Sequence, residues 1–311
     1  MLFGDAYVPE PVRRYRWRTH PKVALLGSWV LPALLLLREV WLQRGAGLSS
    51  PWLLLGMLGL VGTGIPLLIW AWRTRPPDPG VALRLPGIMR RDRAAQRLFA
   101  EERYAEAAEL WDEACRDTMA LPTNHTLAVY NVGICRLLLG QPEQALALVE
   151  AALAAGWHET WSLRRRRFVL HAGHAIALAV VGRTDEAARA QERAHASCPP
   201  GQLGMLVGTD AFIAARDGRY AELLEGVPRW TKLASTSGKS PQRRTLAVAT
   251  AFALEATGAD DHAVEAALAE AASLDRGSVD YLATRWPELA AFVARHHLDG
   301  AAATEAPPDV S

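Results

Sequence analysis

The sequence predicts an all-α protein: an N-terminal two-helix transmembrane hairpin followed by an α-solenoid of helical hairpins. Three observations predict it. Two uncharged apolar runs stand within the first 72 residues. A proline-rich stretch, Arg73–Gly80, then gives way to amphipathic periodicity of helical type. Beyond it, one short turn phrase recurs along the chain, as in "RLLLGQPEQALALVEAAL", "VVGRTDEAARAQERA", "ARDGRYAELLE" and "EATGADDHAVEAALAEA".

The first run, "VALLGSWVLPALLLL" at Val23–Leu37, holds 15 residues, about 22 Å of helix. Carried through "REVWL" to Leu42 it approaches the ~30 Å of a hydrocarbon core, with Arg38 near its end, where Arg can snorkel. The second, "PWLLLGMLGLVGTGIPLLIWAW" at Pro51–Trp72, is 22 residues long, about 33 Å, and apolar on every face. Trp17, Trp29, Trp41, Trp52, Trp70 and Trp72 cluster here, four of them at or near run ends, as an interfacial belt requires. The first run also reads as the apolar core of a signal peptide. Its 22-residue lead and the absence of a clear small-residue cleavage site favour a retained helix. Two membrane helices, about 23–42 and 51–72, are therefore expected within a basic segment 1–78.

The charges orient the hairpin. Arg13, Arg14, Arg16, Arg18 and Lys22 precede it, and Arg73, Arg75, Arg84, Arg90, Arg91 and Arg93 follow it, against Arg38 and Arg44 in the connection. Positive charge stays on the cytoplasmic side, so both termini are expected in the cytoplasm and the protein in the inner (cytoplasmic) membrane. Gly56, Gly59 and Gly62 allow close packing of the two helices, and no charged residue lies at mid-membrane depth. The hairpin reads as an anchor rather than an ion path.

Residues 79–298 read as the repeat domain. Four turn glycines, Gly140, Gly182, Gly218 and Gly258, are spaced 42, 36 and 40 apart, and an earlier unit carries Glu102 at that place. A glycine there supplies a left-handed helix end, and the next helix starts two or three residues on. Small residues let each helix pair cross closely: Ala95, Gly133, Ala175 and Ala211 on first helices, Ala107, Ala145, Ala187 and Ala263 on second helices. Each hairpin remains apolar on both flanks and is stable only when stacked. In the fourth unit Leu223 replaces the alanine and Pro228 interrupts the second helix. The last residues, 299–311, are Ala/Pro-rich and read as a disordered tail.

This pattern resembles the tetratricopeptide repeat family. The second repeat carries the family's apolar–Gly pair (Val132, Gly133), turn glycine, acidic residue and alanine in order. The third adds the closing Pro199, and in the first Tyr104, Ala107, Trp111 and Ala114 fall on the family's aromatic and small positions. Tyr281–His296 is similar to the short helix that often closes such arrays. Arg136 departs from the pattern, standing where the family has a large apolar residue. The resemblance covers roughly residues 87–297 and implies a TPR-like α-solenoid whose first helices line a peptide groove. Residues Gln96, Tyr130, Ile134, Ile176 and Phe212 would line it. Of the positions by which one subgroup clamps a C-terminal carboxylate, only Asn131 matches, while Asp92, Gln96, Val169 and Gly173 occupy the others. An apolar or mixed peptide is the expected occupant.

Chemistry is otherwise sparse. There is no phosphate-binding GxxxxGK[ST], no GxSxG and no dinucleotide glycine fingerprint. His171 and His174, three apart on one helical face, are in reach of a shared ion, but no third ligand is evident. "HETW" at His158 lacks the second histidine of a metalloprotease. No catalytic residue, metal or other cofactor is expected. Cys115, Cys135 and Cys198 have no CxxC spacing and read as free thiols. The first 93 residues carry 13 Lys/Arg against five Asp/Glu, and the remainder 21 against 28, which argues against nucleic-acid binding by the body. One local exception, the basic patch Arg164, Arg165, Arg166 and Arg167, suits an anionic lipid or an acidic partner segment.

These readings point to a non-enzymatic, membrane-anchored adaptor or scaffold that docks a protein partner of unspecified identity. The alternative is a component of an envelope transport or assembly complex in which the hairpin itself takes part. A metal-dependent enzyme or regulator built on His171 and His174 stands behind both.

Overall fold

The computed structural model describes residues 7–13, 79–119, 121–237, 240–274 and 279–298. Both predicted membrane helices, most of the proline-rich stretch and the C-terminal tail lie outside the described residues. Among the described residues no helix is long and apolar enough to cross a membrane, and there is no strand. The chain divides into two compact units, Glu10–Gly87 and Met1–Pro9 with Ile88–Ser311, and the helices from Ile88 onward belong to the second.

The all-α expectation holds. The helices are α1 (Pro79–Ala100), α2 (Tyr104–Thr118), α3 (Pro122–Leu138), α4 (Pro142–Ala154), α5 (Arg167–Val180), α6 (Thr184–Ser197) and α7 (Val207–Arg216). They are followed by α8 (Tyr220–Ser237), α9 (Ser240–Ala256), α10 (Asp261–Ser273), the single turn α11 (Asp280–Ala283) and α12 (Pro287–Arg295). Two 3₁₀ segments, Trp157–Glu159 and Trp161–Arg166, lead into α5, and a third, Pro200–Met205, leads into α7. Pro79 and Gly80, read from sequence as the end of a linker, are already helical.

The hairpin turns follow the chemistry that the glycines require. Gly140, Gly182, Gly218 and Gly258 have φ of 72°, 88°, 73° and 69°. Around each, two backbone bonds close the preceding helix. At the second turn Gly140 N–H donates to Leu137 C=O (3.0 Å) and Gln141 N–H reaches back to Arg136 C=O (2.9 Å). The same pair recurs at Arg183, Arg219 and Ala259, a Schellman closure that satisfies carbonyls left over at a helix end. The first hairpin adopts it without glycine: Glu102 sits at φ 62°, and Arg103 N–H donates to Leu98 C=O at 2.9 Å. Arg136, the outlier of the pattern, donates to Gln141 Oε1 (3.1 Å) and so braces its own turn.

Within each hairpin the expected small residues are at the crossing. Ala95, Ala107, Ala145, Ala175, Ala187 and Ala211 have no exposed surface. Gly133 is needed for its lack of bulk: a Cβ there would lie 3.0 Å from Val149 Cγ2 and 3.2 Å from Ala145 O. Two readings are corrected. Helix α8 runs through Pro228 without a break: the proline costs one backbone donor, while Leu224, Val227, Trp230 and Leu233 on either side pack against the core. Ala263 is only half-buried, and Val264 takes the inner place. One extra residue, Asp260, follows the turn and caps α10, and Val264 N–H as well as Ala263 N–H bonds to Asp260 C=O.

The first helices stack in series, α3 on α5, α5 on α7 and α7 on α9, with the second helices outside them. The C-terminal segment 279–298 then lies across this inner row rather than extending it. Its turn α11 packs on α3 and α5. Trp286 meets Phe212 of α7 and Phe252 of α9 edge-on at 5.8 and 4.9 Å, and Phe292 meets Phe252 at 5.4 Å. Arg285 pairs with Glu143 of α4, 142 residues away. Leu282, Leu289 and Phe292 are fully buried, each worth about 2 kcal/mol by area alone.

Candidate functional site

The residues expected to line a groove fall into two groups. Tyr130 and Phe212 are packing residues. Tyr130 is buried, its hydroxyl donates to Val169 C=O at 2.8 Å, and burial holds its proton far above the ordinary phenol range. It occupies the space left by Gly173, where a Cβ would lie 2.0 Å from its oxygen. Phe212 is covered by Trp286. The others keep surface: Gln96 is exposed, and Asn131, Ile134 and Ile176 are half-buried on α3 and α5. Gln96 donates to Asp92 Oδ2 (2.7 Å), whose other oxygen accepts from Trp111 Nε1 (2.9 Å), so it is fixed rather than loose. The inner row thus carries its own C-terminal segment over α7 and α9 and retains accessible side chains on α1, α3 and α5.

Where the C-terminal segment leaves α7, an open cleft of about 710 Å³ is bounded by Arg216, Tyr220, Glu255, Trp286, Glu288 and Arg295. The Arg216 guanidinium sits 4.9 Å over the Trp286 ring and donates to Arg285 C=O at 2.5 Å. A second cleft, about 350 Å³, opens between α6, α7 and α8. Its wall carries a polar network: Asp210 accepts from Gln191 Nε2 at 2.7 Å and faces His195 Nε2 at 2.9 and 3.0 Å. The hydrogen bond and charge of Asp210 raise the His195 pKa above its ordinary value.

His171 and His174, within sequence reach of one another on α5, turn to different partners. His174 Nε2 lies 3.7 Å from Glu150 Oε1, an oxygen also held by Arg183 at 3.2 Å. His171 turns instead to His158, ring centroids 5.2 Å apart and nearly perpendicular. Beside them Glu159 receives Arg167 at 2.6 Å and lies 3.1 Å from His158 Nε2. One ligand atom each from His158, Glu159 and His171 comes within 4.8 Å of the other two. His171 is 3% exposed, and burial, with the charge of His158 second, pushes its pKa down to about 4. Burial also lowers His158 and His174, only partly opposed by Glu159 and Glu150. Sequence spacing could not have found this triad. His158 and Glu159 lie on one 3₁₀ turn and His171 on a helix twelve residues further on, brought together by the second 3₁₀ segment.

That second segment carries the basic patch. Arg164, Arg165 and Arg166 are exposed, whereas Arg167 begins α5 and is tied to Glu159. Trp161, on the same turn, is 88% exposed, the most exposed large apolar side chain among the described residues. The three thiols are unbridged, Cys115 and Cys135 buried and pushed up to about 12 by burial.

No family model, curated protein or solved structure matches the chain.

Proposed function

We propose that this chain is a membrane-anchored adaptor: the two apolar runs hold a cytoplasmic array of TPR-like hairpins that docks a protein partner on its inner row of helices. The observation that carries the reading is the C-terminal segment laid across α3, α5, α7 and α9. It supports a row of first helices suited to a short helix bearing Trp, Leu and Phe, the recognition mode in which an amphipathic helix lays its apolar face in a groove. Gln96, Asn131, Ile134 and Ile176 are the accessible part of that row and the proposed contact for a partner segment of similar character.

Site-specific photo-cross-linking tests it. A photoreactive residue at Ile134 or Ile176 of the membrane-bound chain should give one discrete adduct with another protein. The same probe on the outer face of α4 should not. Equal labelling at both places, or labelling at neither, would remove the inner row as the docking face. Protease protection of inverted vesicles tests the orientation: the array must be digested there and protected in intact cells.

A second reading rests on the turn at Trp161. An 88% exposed tryptophan beside three exposed arginines suits the headgroup region of an anionic membrane. In an anchored protein such a contact would fix how the array lies against the bilayer.

A further inference from the structure

The geometry points to a divalent transition-metal site formed by His158, Glu159 and His171, which takes a zinc-type ion and pins the connection between the second and third hairpins. The inference does not depend on membrane anchoring or on a docking partner.

Three features of the site converge. First, the donor set is right for a borderline cation: two imidazoles and a carboxylate, the composition of three-ligand zinc sites, with a water completing the tetrahedron. Second, the spacing is close to what an ion needs. Donors about 2.0–2.1 Å from a tetrahedral ion stand about 3.3 Å from each other. His158 Nε2 and Glu159 Oε1 are already 3.1 Å apart, and all three residues offer atoms within 4.8 Å. The remaining edges, within 4.8 Å, must shorten for an ion to be held. Third, the rings hold unused polar atoms. Nδ1 of His158 and Nδ1 of His171 are both buried and have no hydrogen-bond partner, although His171 is among the few buried polar residues of the array. Leaving such an atom unsatisfied costs about 1–3 kcal/mol, and an ion taken by the buried Nδ1 of His171 would offset that cost at this ring.

Arg167 shapes the site from outside. Its guanidinium holds Glu159 at 2.5–2.6 Å, orienting the carboxylate as an outer partner of a metal ligand does. With Arg193 it also places positive charge near both rings. That charge opposes a dication, so the affinity expected is below that of a closed four-ligand structural site. The ion would join the 3₁₀ turn Trp157–Glu159 to α5 and so stiffen a joint of the array where two 3₁₀ turns replace a direct helix-to-helix turn.

The test uses the purified full-length chain in detergent, stripped with a chelator and kept reduced. Titration with zinc chloride by calorimetry should give one ion per chain. Cobalt(II) should give the visible absorption of a four-coordinate ion and no thiolate-to-cobalt charge-transfer band. His158→Ala and Glu159→Gln should each weaken zinc at least about tenfold, since losing even an outer partner of a ligand costs 10–100-fold. His174→Gln should leave binding unchanged. His171→Asn is the more direct variant, but its burial risks the fold; Glu159 is exposed, so Glu159→Gln with an unaltered circular dichroism spectrum keeps the test sound. Absence of saturable zinc binding overturns the proposal. So does binding that survives both His158→Ala and Glu159→Gln, a thiolate band, or loss of binding in His174→Gln.

Discussion

The first hairpin turn offers a measurement of what its glycine-bearing counterparts contribute. Glu102 adopts φ 62°, the conformation held elsewhere by Gly140, Gly182, Gly218 and Gly258. A residue with a Cβ costs about 1–2 kcal/mol there, because Cβ approaches the following carbonyl. Replacing Glu102 by glycine removes that cost and adds back about 0.5–1 kcal/mol of unfolded-chain freedom. The net expectation is a gain of about 0.5–1 kcal/mol, or ~2–4 °C in Tm. Glu102 is exposed, and its charge acts on Arg244. Glu102→Gln, which keeps the Cβ and removes the charge, separates the two effects.

Gly258→Ala is the mirror experiment. A Cβ at Gly258 meets nothing within 4 Å, so its cost is backbone conformation alone, about 1 kcal/mol in the destabilising direction. The assay is urea unfolding followed by helical circular dichroism, with the m-value required to stay constant so that midpoint shifts report stability. Opposite shifts of similar size in the two variants are expected. If Glu102→Gly lowers the midpoint while Glu102→Gln leaves it unchanged, the left-handed strain assigned to this turn is refuted.

The remaining expectations bear on packing, pH and surface. Gly208→Ala sets a Cβ 2.7 Å from Gln242 O and 3.0 Å from its Cα, backbone that a rotamer change cannot clear. An overpacking cost of about 1–3 kcal/mol outweighs the ~1 kcal/mol helix gain, so thermal unfolding should move down, whereas Gly87→Ala, with nothing within 4 Å, should not. Trp286→Ala removes the ring lodged between Phe212 and Phe252 and should cost about 3–5 kcal/mol in urea unfolding. Asp210 raises the His195 pKa, so the pair's contribution is complete below the ordinary value of 6.5 and is lost as pH rises through the raised folded value. The stability difference between the parent chain and His195→Gln should therefore shrink from pH 6 to pH 9. Changing Arg164, Arg165 and Arg166 together to serine should weaken binding to phosphatidylglycerol vesicles and flatten its salt dependence without altering Tm; unchanged binding would remove the lipid reading of that patch.

Much of the array was legible in the sequence because its periodic features are local. A turn glycine, five residues to an alanine and a helix of standard pitch are all set within one hairpin, and Ala107, Ala145 and Ala187 lie where that spacing puts them. The reading failed where one residue shifted the frame, as Asp260 does for Ala263, and where context overruled propensity, as for Pro228 in α8. The candidate site was harder still. His171 and His174 satisfy the helical i, i+3 rule, yet neighbouring elements draw them apart, His174 to Glu150 and His171 to His158. Their partners come from other segments, and spacing along a chain carries no information about those.

The C-terminal segment alters how the array should behave as a physical object. A linear stack of hairpins gains stability only between nearest neighbours, so it can unfold from either end. Here a single segment touches α3, α4, α5, α7 and α9, joining hairpins that are not all neighbours in the stack. The Glu143–Arg285 pair is exposed and of small worth alone, but Trp286, Leu289 and Phe292 bury most of their surface across two helices at once. Losing them exposes apolar surface on α7 and α9 together, which couples the later hairpins into one unit. The inner row keeps accessible side chains at Gln96, Asn131, Ile134 and Ile176, although α11 touches α3 and α5. A partner helix seated there would extend the same device toward α1, binding and tightening the array in one step.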